Sequence, residues 1–387
     1  MKRWSTKPLG EFIEERTVRL GRESATIYSV TNERGFVPSL DLFDKQVFSA
    51  DTGNYKCVGF HDLAYNPSRI NVGSVAMCED KQGGAVSPMY VIVRCKSEIL
   101  PRYLLHFLKS DAGLHQIRHR CEGAVRFQLK FRDLSAIPIL APSLAEQERI
   151  VKLLDEADEL RKLRAQTDRR TAAIVPGLFH EMFGGLPTNP NRWPVKQLWE
   201  LVAPGDKINY GVVQPGDEFR GGVPIVRVGD FENMTICKTH LKRIDPAIEA
   251  AYRRSRLVGD EVLLACVGAT IGKVALADDS LRGFNIVRAV ARIRCGPFLV
   301  RSFLAWQLVT SAAQAGFGAA SRTVAQATLN IKQIEETRVL VPPLPLQKEF
   351  AQLVAEIRAL EIAQATSRQR LEALFQSMLH RAFNGEF

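Results

Sequence analysis

The sequence predicts an α/β protein built twice: two similar α/β domains separated by two long helices, paired antiparallel as a coiled coil, with a pseudo-two-fold from tandem duplication. Three observations predict this. A 200-residue step aligns Leu129 with Leu329, Pro142 with Pro342, Gln147 with Gln347 and Leu160 with Leu360, and it carries "LFHEMFGG" (178–185) onto "MLHRAFNG" (378–385). Apolar residues keep a heptad step after each Pro-x-Leu-x-x-Gln. Short β-branched runs bounded by Gly, Pro, Asn or Asp fill the blocks before each of those segments.

The copies begin at "RWSTKPLGEFI" (3–13) and "RWPVKQLWELV" (192–202), a step of 189. The second copy is therefore longer by 200 − 189 = 11 residues, inserted in its body. This divides the chain into residues 1–141 (first α/β domain), 142–185 (central helix), 186–341 (linker and second α/β domain) and 342–387 (C-terminal helix).

In each block, runs such as "MYVIVRC", "VPIVRVGDF", "EVLLACVG" and "AVARIRC" read as strands. "PRYLLHFLKSDAGLHQIRHR" and "FLVRSFLAWQLVTSAAQAGF" read as helices, followed by a loop and a strand that enter the long helix. "GGLPTNPNRWP" has the Gly, Pro and Asn content of a surface crossing between copies.

The long helices place Ile150, Ala157 and Arg164, and Phe350, Ile357, Gln364 and Leu371, at a-type positions. Leu153, Leu160 and Thr167, and Leu353, Leu360 and Ser367, fall at d-type positions. Both seams turn polar at the third heptad. That is either a solvated gap or a register device. Antiparallel pairing favours the second, because it sets Arg164 and Thr167 against Gln364 and Ser367. A homodimeric coiled coil is the alternative to internal pairing. Pro176-Gly177 should kink or stop the first helix before its counterpart.

Composition narrows the class. With 46% hydrophobic and 24% charged residues, the chain has an ordinary globular balance. No apolar run reaches the length of a membrane span, and no apolar segment follows the basic start as in a secretory signal. Seven scattered cysteines without C-x-x-C read as reduced thiols, so a cytoplasmic setting is expected. The net charge of +10 is localised: residues 1–141 hold 20 Lys+Arg against 15 Asp+Glu, and residues 191–341 hold 20 against 14, while the helical segments are near neutral. Two basic blocks point to a polyanion, foremost nucleic acid.

Several enzyme motifs fall short. "GATIGKV" (268–274) has one residue too few for a phosphate loop and Val274 where Ser or Thr binds magnesium. "YNPS" (65–68) lacks the second Pro and the aromatic of an adenine-methyltransferase motif. Asp62 with Glu79-Asp80-Lys81 has nuclease residue types, but Gly83-Gly84 turns the chain directly after them. His115-x-x-x-His119 lacks the Glu of a zinc protease and reads as a helix face. No metal site and no catalytic residue is assigned.

"PILAPSLAEQERIVKLLDEADEL…LFHEMFGG" resembles the central conserved region of the specificity subunit of type I restriction–modification systems, and "VLVPPLPLQKEFAQLVAEIRAL…HRAFNGEF" resembles its distal conserved region. "AYNPSRINVGSVAM…GGAVSPMYVIV" and "GDEVLLACVGATIGKVAL…FNIVRAV" are similar to the cores of its two target recognition domains. The resemblance implies a non-catalytic subunit that reads a bipartite duplex DNA target, one recognition domain per half-site. Two methyltransferase subunits would dock on the helices and restriction subunits would join them. S-adenosylmethionine, ATP and magnesium are then expected only on the partners. A DNA-binding nuclease and a coiled-coil adaptor are the alternatives.

Base reading needs donors and acceptors on rigid loops, with Lys and Arg on phosphates. Before the last strand of each domain, Arg126, Gln128 and Lys130, and Ser321, Arg322, Thr323 and Gln326, provide such sets. The family-like cores add Arg69 and Ser87 in one copy, and Lys273, Asn285 and Arg288 in the other. Arg253 and Arg254 of "RRSR" form a phosphate patch.

Overall fold

The structure, a computed structural model, describes residues 4–32, 34–42, 49, 51–121, 128–321 and 327–386. The chain forms two compact units, and neither coincides with a sequence copy. Residues 1–166 and 365–387 make the first unit, and residues 167–364 make the second.

In the first unit a four-stranded antiparallel sheet orders Ile13–Glu15, Val91–Cys95, Leu63–Tyr65 and Val75–Met77. A second sheet orders Gly35–Pro38, Ile27–Thr31, Gly84–Val86 and Lys56–Val58, with Ile27–Thr31 parallel to Gly84–Val86. Alternation along the strands serves two clusters. Leu63, Tyr65, Val91 and Val93 join the core under the helix Pro101–Lys109, while Ala64 and Ile92 turn to Val30, Val58 and Val86. Burial of both faces explains the unbroken apolar run "VIV".

The second unit repeats the plan. Asn209–Tyr210, Val290–Arg294, Glu261–Ala265 and Val274–Leu276 form its main sheet, and Lys242–Ile244, Val223–Val226 and Asn285–Ile286 form the other. The eleven extra residues are distributed. The step is 202 − 13 = 189 at the pairs Val202↔Cys295 and Ile13↔Cys95. It is 225 − 27 = 198 at the parallel strands, and 285 − 85 = 200 at their partners. Nine residues therefore enter between Val202 and Ile225, and two between Ile225 and Asn285.

The helix ends are exchanged. Phe383, at the end of the second copy, packs on Tyr103 and Phe107 of the first domain, with ring centroids 5.2 and 5.4 Å apart. Phe183, at the end of the first copy, packs on Phe303 and Phe350 of the second domain at 4.8 and 5.4 Å. Each copy thus ends in a core that the other begins, which is why the same ending is written twice. Losing either ring would cost about 3–5 kcal/mol.

The central helix runs Leu144–Ala172, breaks at Ala173 and resumes as Ile174–Phe183. Pro176 has no N–H for the carbonyl of Ala172, so the ladder must reset there. The C-terminal helix has no such residue and runs Leu344–Asn384 without a break. Each ends on a glycine in the left-handed region, Gly184 at φ 70° and Gly385 at φ 75°.

The seam is displaced from the sequence expectation. Ile150 and Phe350 are buried and Ile357 half-buried, as expected. Leu160 and Leu360, however, are 54% and 60% exposed, and Leu153 and Leu353 only half-buried. Leu154 and Val354 take the buried positions instead. The inward stripe alternates steps of four and three from residue 150 (150, 154, 157, 161, 164), because each helix packs on its domain as well as on another helix. The polar heptad does join the helices: Arg164 Nη2 donates to Ser367 Oγ at 3.2 Å, and Gln364 and Leu371 lie half-buried on the same stripe.

Candidate nucleic-acid interface

Leu129 and Leu329 organise equivalent loops. Leu129 is buried; its N–H donates to the carbonyl of Pro67 (3.1 Å), and its carbonyl accepts the Tyr65 hydroxyl (3.1 Å). With Leu129 fixed inward, Gln128 and Lys130 on either side project outward and are exposed. Gln128 Nε2 reaches Ser68 Oγ at 3.4 Å, beside the exposed Arg69. The turn that presents Arg69 is rigid: Asn66 Oδ1 accepts from Ser68 N (3.0 Å), and Asn66 O accepts from the amides of Arg69 and Ile70 (both 2.9 Å).

In the second domain Leu329 N donates to Cys266 O (2.9 Å), and its carbonyl accepts the Tyr210 hydroxyl. Gly268 N donates to Ala327 O at 2.9 Å, which fixes the turn that ends at the exposed Lys273. Burial pushes the Tyr65 and Tyr210 phenols up, so both stay neutral donors. Arg288 is exposed, and its amide donates to Val212 O at 2.8 Å. Arg253 and Arg254 are exposed on the turn Ala250–Ser255. Ser87 is half-buried at the start of a turn closed by Tyr90 N.

Two expectations are corrected. Asn285 is fully buried: Nδ2 donates to Glu249 Oε1 (2.9 Å) and Tyr252 O (3.0 Å), while Oδ1 accepts from Ser255 Oγ (2.7 Å) and Ile286 N (2.8 Å). Its hydrogen-bonding capacity is spent inside the fold. Ser321 is also buried, and its hydroxyl donates to Gly318 O (3.2 Å) in its own helix. Arg126, Arg322, Thr323 and Gln326 lie outside the described residues. His115 and His119 lie on a helix face, as the sequence suggests, and Arg118, which the sequence did not single out, is exposed with them on the helix Asp111–Cys121.

The rejected enzyme motifs have structural roles. "GATIGKV" joins two antiparallel strands, whereas a phosphate loop joins a strand to a helix. Asp62 is buried, taking Arg16 Nη1 (3.1 Å), Arg94 Nε (3.0 Å) and Gly59 N (2.7 Å), so its lone pairs are committed. Burial pushes the Cys95, Cys266 and Cys295 thiols up to about 12, which keeps them un-ionised. Among the described residues no cluster of His, Cys, Asp and Glu could hold a metal, and no helix is long and apolar enough to cross a membrane.

No family model matches the chain. It is 32% identical over 202 residues to the type I restriction enzyme EcoBI specificity subunit of Escherichia coli, a match covering 51% of this chain and 42% of that one. The chain thus spans less than half of that relative's length. It is 23% identical over 344 residues to the putative type I restriction enzyme MjaX specificity subunit of Methanocaldococcus jannaschii, covering 82% and 76%. Two solved structures share its fold. One comes from work on complex assembly and conformational transition of the type I R-M system (TM-score 0.62, 19% identity, 100% and 99% covered). The other is a type I restriction–modification S subunit from M. genitalium (TM-score 0.57, 13% identity, 98% and 96% covered). In fold along the whole chain, and in sequence over half of it, the chain is similar to the specificity subunits of type I restriction–modification systems.

Proposed function

We propose that the chain is the DNA sequence-specificity subunit of a type I restriction–modification complex. It reads a bipartite duplex target, with one domain on each half-site. The observation that carries this reading is the pair of equivalent loops fixed by Leu129 and Leu329, each presenting exposed polar or cationic side chains from a basic block. Rigid loops of this kind suit base-edge contacts, and the surrounding Lys and Arg suit phosphates. Arg69, Gln128 and Lys130 in the first domain, and Lys273, Arg288, Arg253 and Arg254 in the second, are the contacts we favour.

Two methyltransferase subunits dock on the helices in this reading, and restriction subunits join them. The chain itself is not an enzyme and acts in the cytoplasm. S-adenosylmethionine, ATP and magnesium belong to the partners.

The test is methylome sequencing after co-expression with candidate methyltransferase subunits, comparing the chain with one whose residues 14–128 come from a relative. One half of the methylated target should change and the other stay. A change in both halves together would refute one reader per domain. A chain that binds no duplex at any salt would point to an adaptor, and magnesium-dependent cleavage by the chain alone would point to a nuclease.

A further inference from the structure

The helix Asp111–Cys121 of the first domain and its counterpart Ser311–Ser321 occupy equivalent places but differ in charge. The first reads "DAGLHQIRHRC" and the second "SAAQAGFGAAS". Residues 115, 118 and 119 are His, Arg and His; 200 positions on, they are Ala, Gly and Ala.

Three features set these side chains apart from an ordinary solvated face. First, they share one side of the helix, at i, i+3 and i+4, and all three are exposed, while Gly113 and Ile117 are buried opposite. Second, the helix is anchored beside the candidate reading loop. Arg118 Nε donates to Asn71 O (3.3 Å), in the turn Ile70–Val72 that directly follows Arg69. In the second domain a different position, Gln314, ties the counterpart helix to Gly272 O (3.0 Å), beside Lys273, and brings no charge. Third, Arg120 is committed to the fold, through Gln116 Oε1 (2.7 Å) and Ala136 O (3.0 Å). Arg118 is exposed and bonds to Asn71 through Nε, which keeps its charge at the surface beside Arg69.

We propose that the outer face of the helix Asp111–Cys121 contacts DNA phosphates flanking the half-site read by the first domain, through Arg118 with His115 and His119. The inference rests on the DNA-reading function proposed above and adds a surface to it. Phosphate contacts fix the register of a reader without carrying sequence. The second domain, neutral on this helix, takes its cations from Arg253 and Arg254 on a different element. The two half-sites are thus held by different parts of a duplicated fold.

The test is fluorescence anisotropy of the full chain on a mixed-sequence duplex of about 40 base pairs, titrated from about 50 to about 200 mM KCl. R118A/H119A should reduce the slope of log affinity against log salt by about one, the charge of Arg118, since a neutral histidine donates a hydrogen bond without displacing a counterion. R118K/H119Q should keep the wild-type slope, since a lysine still neutralises a phosphate although it lacks Nε, and a glutamine, like a neutral histidine, donates without charge. A wild-type slope in R118A/H119A overturns the inference. So does an equal loss in both variants, because the helix would then act only as a structural support. Failure of the wild-type chain to bind duplex at all is read separately; it refutes the DNA-reading function, and the inference falls with it.

Discussion

Gln147 and Gln347, 200 residues apart, make the same three-point connection in their separate units. Gln147 Oε1 accepts from Leu100 N (2.8 Å), and its Nε2 donates to Glu98 O and Pro142 O (both 3.0 Å). Gln347 Oε1 accepts from Val300 N (2.8 Å), and its Nε2 donates to Phe298 O (3.1 Å) and Pro342 O (2.8 Å). Both side chains are fully buried. Each ties the loop before a domain helix to the first turn of a long helix, which is why the motif ends in Gln.

Gln147→Ala should therefore destabilise the protein by about 2–4 kcal/mol, since it strands a buried N–H and two carbonyls. Gln347→Ala should cost about the same. Urea unfolding checks both. A loss below about 0.5 kcal/mol would show that water replaces the amide.

The displaced seam predicts a contrast between neighbours in sequence. Leu154→Ala removes a fully buried side chain and should cost about 2–5 kcal/mol. Leu160→Lys, at a 54% exposed position, should leave stability within about 0.5 kcal/mol. If thermal melting ranked the two the other way, the a/d register read from sequence would be right after all.

Glu249 gives a pH dependence. Its carboxylate is buried and held below the ordinary glutamate range, first by the Arg256 guanidinium and then by Asn285, against the opposing effect of burial. A depressed folded value means the stabilisation is full above the unfolded value, about 4.3, and is lost as pH falls through the folded value. Glu249→Gln should flatten that acid limb of the stability curve, and an unchanged limb would assign acid unfolding to other carboxylates. Asn285→Ala should lower stability by about 1–3 kcal/mol and leave the methylated sequence unchanged.

Helix length should set the gap between half-sites. The first unit joins the two helices through Arg161–Glu372 (Nε–Oε2, 2.9 Å) and Arg164–Ser367, so an insertion after Leu160 would break that register. Four residues added instead between Gln166 and Thr167 and between Gln364 and Ala365, where the units divide, leave both cores intact. The addition lengthens each helix by about 6 Å, or roughly two base pairs. Methylome sequencing should find the same half-sites with a longer gap. An active variant that kept the original gap would remove the helices from that role.

The sequence by itself determined the duplication, the two α/β blocks, the paired helices, the break near Pro176 and the polar heptad at Arg164. Each rests on local chemistry: β-branched runs, a missing N–H, a heptad step or a motif repeated 200 residues on. Tertiary structure decided what depends on neighbours distant in the chain. Asn285 and Arg288, three residues apart, are both polar, yet one is locked inside by Glu249 and Tyr252 while the other faces solvent. Leu153 and Leu154 are the same residue type, and only packing against the domain selects Leu154 for burial. The exchange of Phe183 and Phe383 between copies was equally hidden, because a repeat shows that two endings are alike but not which core each one fills. Burial is a property of the assembled surface, and periodicity constrains it only to within one residue of a helical turn.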